Sequence, residues 1–429
     1  MDDLVRWKNR NDRKPLILLG ARQVGKTYIL KEFGRREYDN VAYINCDNNA
    51  LVRDLFTPDY NIGRILLTIG AITGVNIQSG KTLIIMDEVQ ELKRGLASLK
   101  YFCEDAPQYH VAVAGSLLGL TLHDGDSYPV GKVNTLNMYP MTFEEFLLAR
   151  NRKQMVDLLQ AQRWDFVKGL RTLYIQHLRE YYLVGGMPEA VDKFVQTNDA
   201  NLVREVQNEI LAAYEKDISK HAPAEQVMRI GQVWHSIPSQ LAKENRKFIY
   251  GVVKKGARAK DYELAIQWLL DAGLVYKVNR VTTLAMPLKI HEEISAFKLF
   301  MLDCGLLGAM SLTPPAMLLL PSTDNSGKGD FTENFVCSQM KSLSDLPVFY
   351  YSKDNSQLEL DFVVQADTAV CPVEVKAEEN LQSKSLKTTL SENPDMHGLR
   401  FSMSDYREEG RLTNVPLYGA RSFLKALKQ

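Results

Sequence analysis

Long apolar runs are missing from this chain. No segment approaches the ~18 consecutive apolar residues of a membrane-spanning helix, so no membrane association is expected. Cysteine is scarce: Cys46, Cys103, Cys304, Cys337 and Cys371 lie far apart and make no C-x-x-C pair. That pattern argues against a disulfide framework or a thiolate metal site and for reduced core thiols in a cytoplasmic protein. Net charge is missing too, because 52 Lys and Arg balance 52 Asp and Glu. Global charge therefore steers no partner, and any nucleic-acid surface must be a local patch. Met1 to Trp7 carry charges with no apolar run behind them, unlike a secretory signal. What remains is 429 residues, 45% hydrophobic and 24% charged, the composition of a multidomain globular chain.

The most informative stretch is Gly20-Ala21-Arg22-Gln23-Val24-Gly25-Lys26-Thr27, which reads G-x-x-x-x-G-K-T. It follows the apolar run Leu16 to Leu19 and opens a helix-compatible stretch, Tyr28 to Arg36. Strand, glycine-rich loop and helix together make an anion site of backbone N–H groups. Lys26 is placed to reach the β- and γ-phosphates of ATP, and Thr27 to bind Mg²⁺. Strand-like runs recur at 15–20, 41–46, 82–88, 110–116 and 133–139, and continuous apolar runs of this kind suit a parallel sheet covered on both faces. The third ends in Asp87-Glu88, acids that a parallel sheet would deliver to the ligand edge. Asp87 suits the Mg²⁺ shell and Glu88 the polarising of the attacking water. Ser116, ending the fourth run, suits sensing of the γ-phosphate.

The loop, Leu83 to Gln90, Ala114 to Ser116 and Tyr139 to Phe146 together resemble a prokaryotic AAA-type P-loop ATPase whose ATPase domain precedes a DUF4143 region. The later segments Gly185 to Ala190, Leu270 to Tyr276 and Lys298 to Leu307 agree with it. The resemblance implies ATP and Mg²⁺ as cofactors. One departure stands out. The family carries Gly-Arg shortly before the Tyr-Pro segment, whereas this chain has Gly131-Lys132. If that arginine is a charge-stabilising finger, lysine keeps the charge and loses the planar fork, and hydrolysis is then slow or dependent on a partner.

From Met141 to about Ile230 the spacing is helical, interrupted at Gly185-Gly186-Met187-Pro188. Tyr174, Tyr181 and Tyr182 read as core. A helix over 231–243, a second over 261–272 and a hairpin from 274–278 and 282–288 follow in winged-helix order. Between Lys243 and Asp261 stand seven Lys and Arg against two Asp and Glu. This Lys243–Lys260 patch is the candidate DNA contact.

Beyond Pro314-Pro315 and the 321–329 run, the chain predicts a helix over 331–342 carrying Glu333. Strands are predicted at 348–351, 358–365 (with Asp361) and 369–376 (with Glu374 and Lys376). Strand alternation puts Glu374 and Lys376 on one face. Two carboxylates at one sheet end, with a lysine two residues on, can hold a hard divalent cation and orient a water. Asp, about a dozen residues, then Glu-x-Lys with an upstream helical Glu resembles the PD-(D/E)xK nuclease fold. That resemblance implies Glu333, Asp361 and Glu374 as metal-side acids and Lys376 as the residue that positions the water or stabilises the phosphate.

The expected fold class is α/β: a P-loop NTPase parallel-sheet domain over 1–150, a helical lid or linker over 151–230, a winged-helix-like segment over 231–312 and a restriction-endonuclease-like α/β domain over 313–429. The expected function is an ATPase that uses ATP as a conformational switch, with a DNA-associated nuclease-like module. The alternative is an ATP-binding regulatory or interaction protein whose nuclease-like domain is non-catalytic. A homo-oligomer is compatible with the sequence, which fixes no oligomeric state.

Overall fold

The computed structural model describes residues 1–47, 49–115, 129–243, 246–319, 328–354, 357–379 and 381–427. The chain forms two compact units, residues 1–139 with 271–273 and residues 140–270 with 274–429.

The N-terminal unit opens with α1 (Asp2–Lys8), whose Trp7 indole N–H donates to the Lys14 carbonyl at 2.8 Å. Strands and helices then alternate: β1 (Leu16–Leu19), α2 (Lys26–Glu37), β2 (Asn40–Asn45), α3 (Ile62–Thr73), β3 (Thr82–Asp87), α4 (Gly95–Asp105), β4 (His110–Ala114) and β5 (Asn134–Asn137). All five expected strands form, and every pair is parallel, in the order β2-β3-β4-β1-β5. Both faces are covered. Ile17, Ile84, Val111 and Val113 enter one core cluster, while Leu16, Leu18, Leu83 and Ile85 enter the other. Two covered faces are why these strands read as unbroken apolar runs. Each such side chain contributes on the order of 1.5–3 kcal/mol by burial.

The C-terminal unit begins with six helices, α5 (Phe143–Ala149), α6 (Lys153–Gln160), α7 (Trp164–Gly169), α8 (Arg171–Val184), α9 (Pro188–Thr197) and α10 (Ala200–His221). After α11 (Val227–Leu241), α12 (Tyr250–Val253) and α13 (Ala259–Asp271) come β6 (Val275–Val281) and β7 (Glu292–Met301). Next are α14 (Cys304–Met310), α15 (Pro315–Leu319), α16 (Lys328–Lys341), β8 (Val348–Ser352), β9 (Glu359–Ala366) and β10 (Ala369–Val375). The last elements are α17 (Lys384–Glu392), β11 (Gly398–Ser402), β12 (Arg407–Glu409), β13 (Leu412–Pro416) and α18 (Ala420–Leu427).

One sheet of eight strands runs through this unit, in the order β12-β13-β11-β10-β9-β8-β6-β7. The expected hairpin is present but does not stand free. β6 pairs in parallel with β8, at Arg280↔Tyr350 and Val281↔Tyr351. Val281 shares a core with Phe349, Leu360, Val363 and Leu386. The second hairpin strand lies later than 282–288. Pro287 lacks an N–H for a ladder, and β7 instead pairs with β6 from Val275↔Met301 backwards. Glu292, Glu293 and Lys298 hid this strand from its apolar pattern.

The tyrosines of α8 are core. Tyr181 and Tyr182 pack edge-on against Phe335 of α16, and Tyr174 stacks on Tyr418. The Gly185-Gly186 break and the Asp303-Cys304-Gly305 segment are two halves of one joint. Asp303, fully buried, accepts from the Gly186 N–H at 2.5 Å and caps α14 through the Leu306 N–H at 2.9 Å. A side chain on Gly186 would meet the Met141 carbonyl oxygen at 2.0 Å.

Two outcomes follow from these packings. Asp303→Ala leaves buried N–H groups without an acceptor and should cost about 2–3 kcal/mol, read as a lowered urea midpoint. The second concerns His110, which is buried with its Nδ1 2.7 Å from the Tyr38 hydroxyl. Burial, with Arg13 and Lys8 nearby, pushes its pKa down to about 4. The unfolded chain therefore takes up this proton first as pH falls below about 6.5, so stability drops between there and pH 4. Acidification from pH 7.5 to 5 should cost wild type about 2 kcal/mol more than His110→Gln.

Candidate functional site

In the N-terminal unit the loop between β1 and α2 is shaped by backbone no side chain would tolerate. Gly20 has φ +146°, and a Cβ there would sit 2.3 Å from the Met138 carbonyl oxygen. Gly25, at φ +95°, turns the chain into α2, whose first residue is Lys26. Ala21 and Val24 are buried under the loop, while Arg22 and Gln23 lie at its exposed tip. The N–H groups at the start of α2 are suited to an anion.

Lys26 is buried, and its ammonium donates to the Gly20 and Ala21 carbonyl oxygens at 2.8 and 2.7 Å. Burial pushes its pKa down to about 8, against the opposing pull of Glu88 and Asp87. A phosphate would supply the counter-charge that the carbonyls do not. Thr27 donates its hydroxyl proton to Asp87 Oδ2 at 2.6 Å. That leaves the Thr27 oxygen lone pairs for a cation, so the pair fits Mg²⁺ in chemistry. Tyr43 of β2, which sequence reading missed, also donates to Asp87 Oδ2, at 3.2 Å. Glu88 sits just past β3 in left-handed backbone at φ +52° and accepts from the Gln90 amide at 2.5 Å.

β4 lies between β1 and β3, as the γ-phosphate-sensor expectation requires of its strand. Ser116 itself lies outside the described residues. Lys132 precedes β5, at the amino-terminal edge of the sheet, whereas the loop and both acids lie at the carboxyl edge. Its ammonium pairs with Glu104 at the end of α4, at 2.8 Å.

In the C-terminal unit, Glu333 of α16, Asp361 of β9, and Glu374 and Lys376 at the end of β10 line one open cleft. β9 and β10 pair antiparallel with Phe362 opposite Val373, so the register carries Asp361 to Glu374. Asp361 accepts from the Val375 N–H at 2.7 Å. Lys376 pairs with Glu374 at 2.5 Å, so the two share a face as the alternation requires. Burial, then the neighbouring Asp361 carboxylate, holds Glu333 well above the usual carboxylate range. Burial raises Glu374 likewise. The Oε2 atoms of both Glu333 and Glu374 are buried without a hydrogen-bond partner.

Sequence reading missed the cleft's basic side. Arg246 belongs by sequence to the Lys243–Lys260 patch, yet its guanidinium turns inward to Glu333 at 2.7 Å and Asp330 at 3.2 Å. Arg280 reaches Glu293 and Asp354, and Lys298, fully buried, pairs with Glu359 at 2.7 Å. Lys247 also lines the cleft. Lys254, Lys255, Arg258 and Lys260 remain exposed. Among the described residues no group of three or more His, Cys, Asp and Glu side chains stands ready to hold a metal ion. The donors suit a divalent cation by type, but as they stand their partners are the cationic side chains of Arg246 and Lys376. Among the described residues no helix is long and apolar enough to cross a membrane.

The N-terminal parallel sheet, its glycine-rich loop and the Thr27–Asp87 pair define an AAA-type, P-loop ATPase-like domain. The AAA domain family matches residues 12–147, and DUF4143, a domain of unknown function, matches residues 328–418. Residues 175–316 match DUF8612, a further domain of unknown function. The chain is similar to the uncharacterized protein MJ1637 of Methanocaldococcus jannaschii, 28% identical over 227 residues, covering 49% of this chain and 44% of that protein. The match thus spans less than half the length of that relative. The Walker-type ATPase PABY2304 of Pyrococcus abyssi is similar at 15% identity and a TM-score of 0.45, over 72% of this chain and 95% of its own. The Aeropyrum pernix ORC1 protein in complex with DNA is similar at 14% identity and a TM-score of 0.27, over 74% and 92%. Structural likeness at these TM-scores is too distant to bear on function.

Lys26→Ala should abolish Mg²⁺·ATP binding, at least a hundredfold by fluorescent-nucleotide titration, while the far-ultraviolet circular dichroism stays unchanged. Wild-type affinity in this variant would overturn the loop's assignment.

Proposed function

We propose that the chain is an ATPase that uses ATP as a conformational switch and acts on DNA through a nuclease-like cleft. The observation that carries this reading is the convergence of Glu333, Asp361, Glu374 and Lys376 in one cleft that Lys247 also lines. The surrounding order supports it. A helix (α16), an antiparallel meander (β8, β9, β10), a helix (α17) and a strand parallel to β10 (β11) make the core expected of a PD-(D/E)xK fold. The helix–helix–hairpin order of α11, α13 and β6–β7 supports a winged-helix-like element, here built into the larger sheet.

At the phosphate loop, Lys26 and the backbone N–H groups would hold the β- and γ-phosphates, and Thr27 and Asp87 would hold Mg²⁺. Glu88 takes a proton from water as its oxygen bonds to the γ-phosphorus and the bond to ADP breaks. Ser116 reads the γ-phosphate. At the cleft, Glu333, Asp361 and Glu374 would hold a divalent cation, which supplies charge neutralisation and an acidified water. Lys376 would orient a water toward a phosphodiester phosphorus. The new P–O bond forms as the bond to the leaving alkoxide breaks, and solvent protonates the alkoxide.

One observation favours a second reading. The ion pair of Arg246 with Glu333 gives the cleft an internal cation, which suits an ATP-binding interaction protein whose nuclease-like cleft is silent. Plasmid and single-stranded DNA incubated with Mn²⁺, with and without ATP, separates the two. Wild type should nick DNA, and Glu374→Ala and Lys376→Ala should each lose at least a hundredfold in rate. Cleavage persisting in both variants would place the activity elsewhere. No cleavage and no DNA retention by wild type would favour the interaction protein.

A further inference from the structure

Resting on the reading that the phosphate loop takes Mg²⁺ with its nucleotide, we infer that Tyr43 is a positioning residue for that site: it holds the Asp87 carboxylate in place before the nucleotide arrives. Tyr43 lies on β2, beside the strand that ends in Asp87. The two strands pair in parallel from Asn40↔Thr82 to Asn45↔Asp87, with Tyr43 opposite Ile85. Residues two apart on a strand share a face. Tyr43 therefore stands diagonal to Asp87, a spacing that an aromatic side chain spans. Its ring packs against the core cluster of Leu30, Phe33, Leu83 and Ile85, and its hydroxyl meets Asp87 Oδ2.

Asp87 is buried, and a buried carboxylate is costly unless hydrogen bonds replace its water. Two hydroxyls do so, Thr27 at 2.6 Å and Tyr43 at 3.2 Å, both on Oδ2. Two donors on one oxygen fix the carboxylate without using Oδ1. The donors are not equivalent. Thr27 sits where the loop enters α2, and its lone pairs are what a cation would take. Tyr43 belongs to the sheet and owes its position to strand pairing and core packing, neither of which waits for a nucleotide.

The ring is itself held. The Lys31 ammonium of α2 lies over it, 3.5 Å from its centre, a cation–π contact that ties the helix to the ring. Burial, then the neighbouring Asp87 charge, pushes the Tyr43 hydroxyl up to about 12, so at neutral pH it keeps the proton it donates. Groups that orient a metal-binding carboxylate in this way typically change metal affinity by about 10–100-fold when removed.

The test is titration of the full-length protein with a fluorescent, non-hydrolysable ATP analogue, in EDTA and across a Mg²⁺ series. Tyr43→Phe removes one oxygen and keeps the ring. It should bind the analogue in EDTA as wild type does, while the Mg²⁺ concentration at half-maximal enhancement of binding rises at least tenfold. Should that variant not fold, Lys31→Met, an exposed change that frees the ring, should raise the same midpoint by a smaller factor. Equal weakening with and without Mg²⁺ would make Tyr43 merely part of the core and overturn the inference, as would an unchanged Mg²⁺ midpoint in the folded variant. No effect of Mg²⁺ on binding by wild type would bring down the Mg²⁺ reading of the loop itself.

Discussion

Parallel pairing is the constraint on which the N-terminal unit depends. Because β1, β3 and β4 run the same way, their carboxyl ends meet on one edge, and the loop after β1 opens beside the acids that end β3. No local propensity brings Thr27 to Asp87, sixty residues on; the sheet does. The same constraint sends the segment before β5, and Lys132 with it, to the far edge. A charge there cannot touch the phosphates of its own loop, whatever its side chain, so the exchange of arginine for lysine leaves this chain's own phosphate pocket unaltered.

The C-terminal unit solves a different problem, that of keeping like charges close in a poorly solvated cleft. Burial and mutual repulsion push the carboxyls of Glu333 and Glu374 toward neutrality, and cations pull them back. Lys376 and Arg246 do this from two sides, and Lys298 lends its charge to Glu333 from the sheet. Such a cluster is costly as pure architecture, since apolar residues of the same volume would often be at least as stable.

Much of this was legible in the sequence. Strong period-two or fully apolar runs gave the five strands of the first sheet and the β8–β10 meander, and the loop motif named its own context. The resemblance to an AAA-type ATPase with a DUF4143 region is matched in both parts. What stayed hidden was tertiary. Arg246 has the composition of a surface residue, and only its backbone conformation and the position of Glu333 turn it inward. β7 was masked by the charges at Glu292, Glu293 and Lys298. Gly185-Gly186 read as a break, but its partner Asp303 lies more than a hundred residues away, where periodicity cannot reach.

The β6–β8 pairing has a consequence for anyone cutting this chain at its family boundaries. The match to DUF8612 ends at residue 316 and the match to DUF4143 begins at 328, yet one hydrogen-bonded sheet crosses between them. A fragment started at residue 328 would bare the β8 edge and the apolar side chains that Val281 covers. An open edge of that kind recruits strands from neighbouring molecules, so the isolated piece is built to aggregate where the whole chain stays folded.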